Sequence, residues 1–359
     1  MLNRLKLCVL RNAIKRPGAL YNLVKTRFFL PAIQRKLAIS ATPTMLDIEP
    51  TAKCNLRCKY CQVSHWDRSP KVANLTYDNF VIIVDQFPHL LLIKLQGMGE
   101  PFLNADVFRM VAYAASKGIV VYTVSNGTLV RGALVAKIVA SELAELIISV
   151  DGATKATFES IRCGAKFDQV VENVRQLVQL RNAKGNGRKP LITLWMVGTK
   201  DNIHECPQLV RLGKTLGVDC VYLGLGNVNC WGQDKYQELQ QYSLDRADTV
   251  SGYSREVESI LREAQRVARE ISMPTTVYTC TGRNKLGPGA KCKWPWTSAY
   301  LSADGFVVPC GAIANPEVMH FGNVFEEHFA DIWNSPKYQA FRQSFLDGNW
   351  PEMCNGCYV

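Results

Sequence analysis

The chain has no apolar run near the roughly 18 residues that a membrane-spanning helix needs. Its basic start also lacks the unbroken apolar core and small-residue cleavage site of a secretory signal. A spanning topology and signal-directed export are therefore not expected, and the chain reads as cytoplasmic. Acidic residues are missing from positions 1–46, which carry nine Lys or Arg (Arg4, Lys6, Arg11, Lys15, Arg16, Lys25, Arg27, Arg35, Lys36) of a chain whose formal net charge is only +11. The basicity thus belongs to a leading segment and not to the body, which argues against nucleic acid as a partner. Histidine is scarce: His65, His89, His204, His320 and His328 are scattered and carry no assigned chemistry. Internal repeats and low-complexity stretches are absent. With 359 residues, 47% apolar and 20% charged, the chain is globular and long enough for one large domain with an appendage, or for two domains.

Cysteine is abundant, at 13 residues. Without a secretory signal, and in a chain of this size, metal binding in a reducing compartment is a better account than disulfides. The segment CNLRCKYC places Cys54, Cys58 and Cys61 on one short stretch. A closed zinc or iron–sulfur site takes four protein ligands, so three thiolates leave one coordination position open. A zinc knuckle or unrelated thiols is the plainer reading of this motif alone.

Apolar, β-rich runs recur at 45–50, 91–96, 120–125, 145–150, 191–197 and 221–226, separated by amphipathic stretches with helical spacing. Gly118 and Gly217 fall where helix C-caps belong. Such alternation predicts a parallel sheet covered by helices, either open or a (β/α) barrel. A helix over about 254–270 closes the region. Beyond residue 280 the pattern changes to short strands, turns and cysteines, with Asp304-Gly305 marking a hairpin. Expected boundaries are 1–43, 44–279 and 280–359.

Three cysteines at these spacings, with Tyr60 before the last and directly after the first strand, resemble the radical S-adenosylmethionine (SAM) enzymes. The resemblance implies a partial (β/α)6 barrel and a [4Fe–4S] cluster held by Cys54, Cys58 and Cys61, with the fourth iron open to SAM. It further implies that one-electron reduction of SAM yields a 5′-deoxyadenosyl radical that abstracts hydrogen from an unactivated C–H bond. GMGEP (97–101) is similar to the family's GGEP segment, so Gly97, Gly99 and Glu100 would receive the SAM amino group, with Met98 replacing a commoner glycine. SNGT (125–128) and SVDG (149–152) end the third and fourth strands, where Ser125, Asn126, Ser149 and Asp151 match the SAM-contacting positions. Arg162 would approach the SAM carboxylate. Singly these are turns and caps; their order on successive strands makes them specific.

Near the C-terminus, Cys292, Cys310, Cys354 and Cys357 are spaced for a closed four-thiolate site. The intervening GNVFEEHFADIWNSPKYQAFRQSF resembles the SPASM and twitch extensions of the same family, implying an auxiliary [4Fe–4S] cluster in a small α+β extension. The absence of further cysteines beyond the CxxC favours the one-cluster twitch form, and a structural zinc site has the same spacing. Of the remaining cysteines (Cys8, Cys163, Cys206, Cys220, Cys230, Cys280), most read as small buried hydrophobes. Cys230, following the sixth strand, is a candidate hydrogen-atom donor.

The combined expectation is a radical SAM oxidoreductase that dehydrogenates a small molecule such as a sugar alcohol or a lipid-linked substrate, reduced by flavodoxin or ferredoxin. A peptide maturase making crosslinks or epimerised residues is the alternative, and a non-catalytic iron–sulfur or zinc protein a third. In the leading segment Leu20, Val24 and Phe28 recur every four residues beside Lys25 and Arg27. A basic amphipathic helix of this kind fits peripheral contact with the inner membrane surface; the competing reading packs its apolar face on the barrel.

Overall fold

The computed structural model describes residues 4–65, 74–185, 189–225, 241–244, 253–278 and 292–354. Nine strands form one sheet: β1 (Met45–Ile48), β2 (Leu92–Leu95), β3 (Val120–Ser125), β4 (Glu145–Ser149), β5 (Leu191–Gly198), β6 (Cys220–Leu225), β7 (Thr275–Tyr278), β8 (Ser298–Leu301) and β9 (Val307–Val308). Their order is β7-β6-β5-β4-β3-β2-β1-β8-β9. Every neighbouring pair is parallel except β8–β9. The sheet does not close on itself, in keeping with a partial barrel.

All six runs read from the sequence are strands, and helices Tyr77–Asp85, Val107–Ser116, Phe167–Ala183, Cys206–Leu216 and Arg255–Glu270 occupy the amphipathic stretches between and after them. Gly217 caps its helix with φ +71 and Gly118 adopts φ +72, the left-handed conformation in which a side chain is strained. Two features go beyond the sequence reading. Residues Thr275–Tyr278 add a seventh parallel strand. The hairpin at Asp304-Gly305 is present, but its first strand, β8, also pairs in parallel with β1 along Met45↔Ser298 to Ile48↔Leu301. The C-terminal extension is therefore continuous with the barrel sheet.

Alternation along the strands divides the residues between two environments. Leu146, Ile148, Ile192 and Leu194 point to the helices, where Val174, Leu177 and Leu209 cover them. The opposite series, Lys94 and Gln96, Tyr122 and Val124, Glu145 and Ile147 and Ser149, Trp195 and Val197, lines a cavity of about 660 Å³. A second core joins β1, β2 and β8 to the extension through fully buried Trp296 and Trp333. Each such aromatic contributes about 4–6 kcal/mol of transfer free energy.

The leading segment is built into the fold. Helices α1 (Arg4–Ile14) and α2 (Pro17–Phe28) lie at the N-terminal ends of the strands. There Arg16 donates to the carbonyls of Leu90 (2.6 Å) and Pro88 (2.9 Å), Asn12 to that of Gly118 (3.0 Å) and Asn22 to that of Thr42 (2.9 Å). Leu5 reaches the cavity lining. The stretch after α2 is stitched to the extension: Trp296 Nε1 donates to Lys36 O, Arg342 to Leu37 O and Trp333 Nε1 to Ala41 O. The four-residue recurrence divides in consequence. Leu20 packs inward with Ala13, Ala19 and Leu91, while Val24 and Phe28 face out.

Candidate active site

The cysteine loop leaves β1 and is held by backbone bonds on both sides. Gly99 N donates to Thr51 O (3.2 Å) and Glu100 N to Lys53 O (2.8 Å), while Arg57 N and Lys59 N donate to Cys163 O and Ile161 O. These bonds fasten the cysteine loop to the turn after β2 and to the C-terminal end of the helix Lys155–Ile161. The glycines of GMGEP are sterically required: a Cβ at Gly99 would sit 2.2 Å from Lys53 O, and one at Gly97 2.1 Å from Glu49 Cγ.

Cys54, Cys58 and Cys61 all line the cavity, together with Tyr60, Gly97, Gly99, Glu100, Ser125, Asn126, Ser149, Asp151 and Arg162. The residues expected from the sequence to contact the cluster or SAM thus all line one cavity. Burial pushes the Cys58 thiol up to about 12 and raises Cys54 and Cys61, while the Arg162 guanidinium pulls all three back. Among the described residues, no three Cys, His, Asp or Glu side chains converge as a finished metal centre. The donor set nevertheless fits an iron–sulfur cluster: three soft sulfur ligands on one fastened loop, facing open cavity. A bound cluster would strip the thiol protons regardless of burial.

Glu100 is 2% exposed, and burial raises its carboxyl to about 7. Its oxygens accept from Ser125 Oγ (2.8 Å), Asn126 N (2.8 Å) and Phe102 N (3.3 Å), so it ties GMGEP to SNGT. Asn126 in turn donates to Asn55 Oδ1 of the cysteine loop at 2.9 Å. Arg162 donates through Nε and an Nη to Asp151 Oδ2, each at 2.7 Å, and Asp151 Oδ1 accepts from Val197 N (2.9 Å). Burial opposes the Arg162 charge, but Asp151 and Cys58 outweigh it and raise its pKa. Tyr60 is turned to one side: its hydroxyl donates to Asp201, which also pairs with Lys59 at 2.7 Å. Burial, then Asp201, raises the Tyr60 pKa.

At the second cysteine set, Cys292 and Cys354 pack against the same apolar core, and Cys292 and Cys310 both act electrostatically on buried Tyr338. Cys357 and Cys230 lie outside the described residues, as does Cys280. Of the other cysteines only Cys206 is fully buried; Cys163 is exposed, so the expectation of small buried hydrophobes does not hold for it. The loop that follows Cys310 reaches the cavity, although among the described residues Cys292, Cys310 and Cys354 are not in its lining. Gly311 is part of its lining, and Gln62 Nε2, beside Cys61, donates to Ala312 O at 2.9 Å.

Several supporting residues escaped the sequence reading. Glu49 is fully buried and accepts from Met98 N (2.8 Å), Ala303 N (3.1 Å) and Tyr300 Oη (3.3 Å), joining β1, GMGEP and the extension. Glu205 accepts from Ala153 N, Thr154 and Thr157, fixing the loop after Asp151. Asn202 donates to Asp151 O. A signal for Glu49 was available: Asp47 and Glu49 are two apart in a strand, an arrangement that places two acids on one inward face.

Comparison with known proteins identifies the family. The radical SAM superfamily model matches residues 48–213, and the SPASM iron–sulfur cluster-binding domain model matches residues 292–358. The chain belongs to the radical SAM superfamily and carries a C-terminal SPASM domain. It is 29% identical over 346 residues to the tungsten-containing aldehyde ferredoxin oxidoreductase cofactor-modifying protein of Pyrococcus furiosus, covering 87% of this chain and 86% of that one. It is 24% identical to the PqqA peptide cyclase of Gluconobacter oxydans, covering 89% and 84%. Streptococcus suis SuiB bound to S-adenosylmethionine shares the fold, with TM-score 0.65 at 16% identity, covering 89% of this chain and 72% of that one. The cofactors that follow from the family are SAM, a SAM-binding [4Fe–4S] cluster and auxiliary iron–sulfur clusters.

Proposed function

We propose that this protein is a radical SAM oxidoreductase that removes two electrons and two hydrogens from a small organic substrate. When bound, the cluster and SAM supply a 5′-deoxyadenosyl radical that abstracts hydrogen from a C–H bond. The role of the protein is to hold, orient and exclude water. Cys54, Cys58 and Cys61 hold the cluster. Gly97, Gly99 and Glu100 take the SAM amino group, Ser125 and Asn126 its ribose and carboxylate, and Ser149, Asp151 and Arg162 complete the polar wall, Arg162 toward the carboxylate. Tyr60, tied to Asp201, would add an aromatic side chain to the cavity lining next to the cysteines.

The observation that supports the oxidative reading is the contact between the loop after Cys61 and the loop after Cys310, where Gln62 Nε2 donates to Ala312 O. Cys292, Cys310, Cys354 and Cys357 would hold one [4Fe–4S] cluster, and the Gln62–Ala312 bond places its loop against the first. When bound, such a cluster would supply a one-electron acceptor, which is what oxidation of an α-hydroxyalkyl radical to a carbonyl needs, the proton leaving from the hydroxyl on the radical carbon. The product is a carbonyl, and a secondary alcohol of the sugar-alcohol type is the substrate class. Flavodoxin or ferredoxin would supply the electron for SAM cleavage. Peptide modification is the second reading, favoured by full-length similarity to a peptide cyclase.

The test is anaerobic incubation of iron-replete protein with SAM and dithionite. The expected result is 5′-deoxyadenosine and methionine in equal amounts; intact SAM overturns the reading. Comparing the small molecules and the peptides of a gene-deleted strain with those of its parent separates the substrate readings. Glu100→Gln is a sharper probe of the wall, because an amide nitrogen cannot accept from Ser125, Asn126 or Phe102. Losing one buried bond to a charged group, about 1.5 kcal/mol or more, should weaken SAM binding about tenfold. An unchanged Kd by anaerobic dialysis would remove Glu100 from the SAM site.

A further inference from the structure

We infer that α1 and α2 form a docking face for a bilayer containing anionic phospholipid. Both helices carry an apolar stripe at i, i+3 and i+7, and in both it points to solvent. On α1 the stripe is Leu7, Leu10 and Ile14, the last 62% exposed. On α2 it is Tyr21, Val24 and Phe28, with Tyr21 70% and Phe28 75% exposed, and Phe29 continues it at 61%. The inward face is mixed, so the apolar residues of each helix are divided between the two sides. α2 buries Ala19, Asn22 and Thr26, and Asn22 spends its amide on the Thr42 carbonyl. The helices are anchored by small and polar groups together with Val9, Leu20 and Leu23 packed on Ala13, Ala19 and Leu91, and the stripes of more exposed apolar side chains are left outward.

Charge selects the occupant. Lys6, Arg11, Lys15, Arg27, Arg35 and Lys36 are exposed, and no acid lies within residues 1–46. Beside α2 a cavity of about 410 Å³ is lined by Lys25, Lys36, Ser40 and Asn334. A second copy docking through this face would bring two such cationic segments together, which opposes self-association. Exposed aliphatic and aromatic side chains ringed by cations suit the boundary between anionic headgroups and acyl chains. No helix among the described residues is long and apolar enough to cross a membrane, so contact would be peripheral. The face lies at the N-terminal ends of the strands, away from the cysteine loop at their C-terminal ends.

The experiment is co-sedimentation of the full chain, prepared anaerobically, with phosphatidylcholine vesicles with or without phosphatidylglycerol, at low and high salt. The protein should pellet with the anionic vesicles at low salt and be released at high salt. Replacing Lys6, Arg11, Lys15 and Arg27 by Gln, or Phe28 and Phe29 by Ser, should each reduce the bound fraction roughly tenfold or more. Both sets are outward-facing, so thermal stability, iron content and SAM cleavage should stay at the parental level. Pelleting that is absent, indifferent to phosphatidylglycerol or unchanged in both variants overturns the inference. So does a dimer in solution that Phe28→Ser with Phe29→Ser dissolves, since the face would then belong to a second copy.

Discussion

Replacing Cys54, Cys58 and Cys61 together by alanine should abolish conversion of SAM to 5′-deoxyadenosine and remove about four irons per chain. The fold should survive. All three side chains are only partly buried, each contributing on the order of 1 kcal/mol to packing. The loop is held by backbone bonds from Arg57, Lys59, Gly99 and Glu100 that do not involve the thiols. Iron analysis, circular dichroism and a turnover assay on the same preparation check this. SAM cleavage at the parental rate in a folded, iron-depleted triple variant would end the radical SAM reading of this site.

Cys310→Ala should separate the two cysteine sets. SAM cleavage should persist within a few-fold, while oxidised product should fall at least tenfold, because the substrate radical would lack an electron acceptor and return to substrate. The triple variant supplies the complementary measurement. It should retain about four irons, and Mössbauer spectroscopy should show one [4Fe–4S] cluster. Stoichiometric zinc with no residual iron there would overturn the electron-acceptor role, and so would full product yield from Cys310→Ala. Cys310 opens a turn closed by Ile313 N donating to Cys310 O, and the next residues meet Gln62 and the cavity. Gln62→Ala should therefore lower product yield more than SAM cleavage, since it loosens the junction without removing a ligand.

Much of the site was legible because its chemistry is local. Three thiols within eight residues, a glycine-rich turn with its acid, and polar residues at the ends of successive apolar runs each declare themselves within a short window. The anchoring residues were not, because their partners are distant in sequence. Glu49 accepts from Met98 and from Ala303, and Glu205 braces residues 153–157. The spacing of Asp47 and Glu49 hints at an inward acid, but nothing in the few residues around Glu205 marks it out from an ordinary helix-end carboxylate.

The leading segment divides the two kinds of information most clearly. Its positive charge, its freedom from acids and its helical spacing are properties of consecutive residues and follow from the sequence alone. Which face is free does not follow. Periodicity indicates that a helix has an apolar stripe, and the usual inference is that the stripe packs inward; here Asn22 and Arg16 find backbone carbonyls at the strand ends and turn the stripe out. The sheet shows the same division. Apolar runs and their order are set by local residue preference, whereas the parallel pairing of β8 with β1, and with it the approach of the loop after Cys310 to the first cysteine set, depends on side chains more than two hundred residues apart burying one another. Local sequence determines what each segment can become; long-range burial and hydrogen bonding decide which surfaces it has left to use.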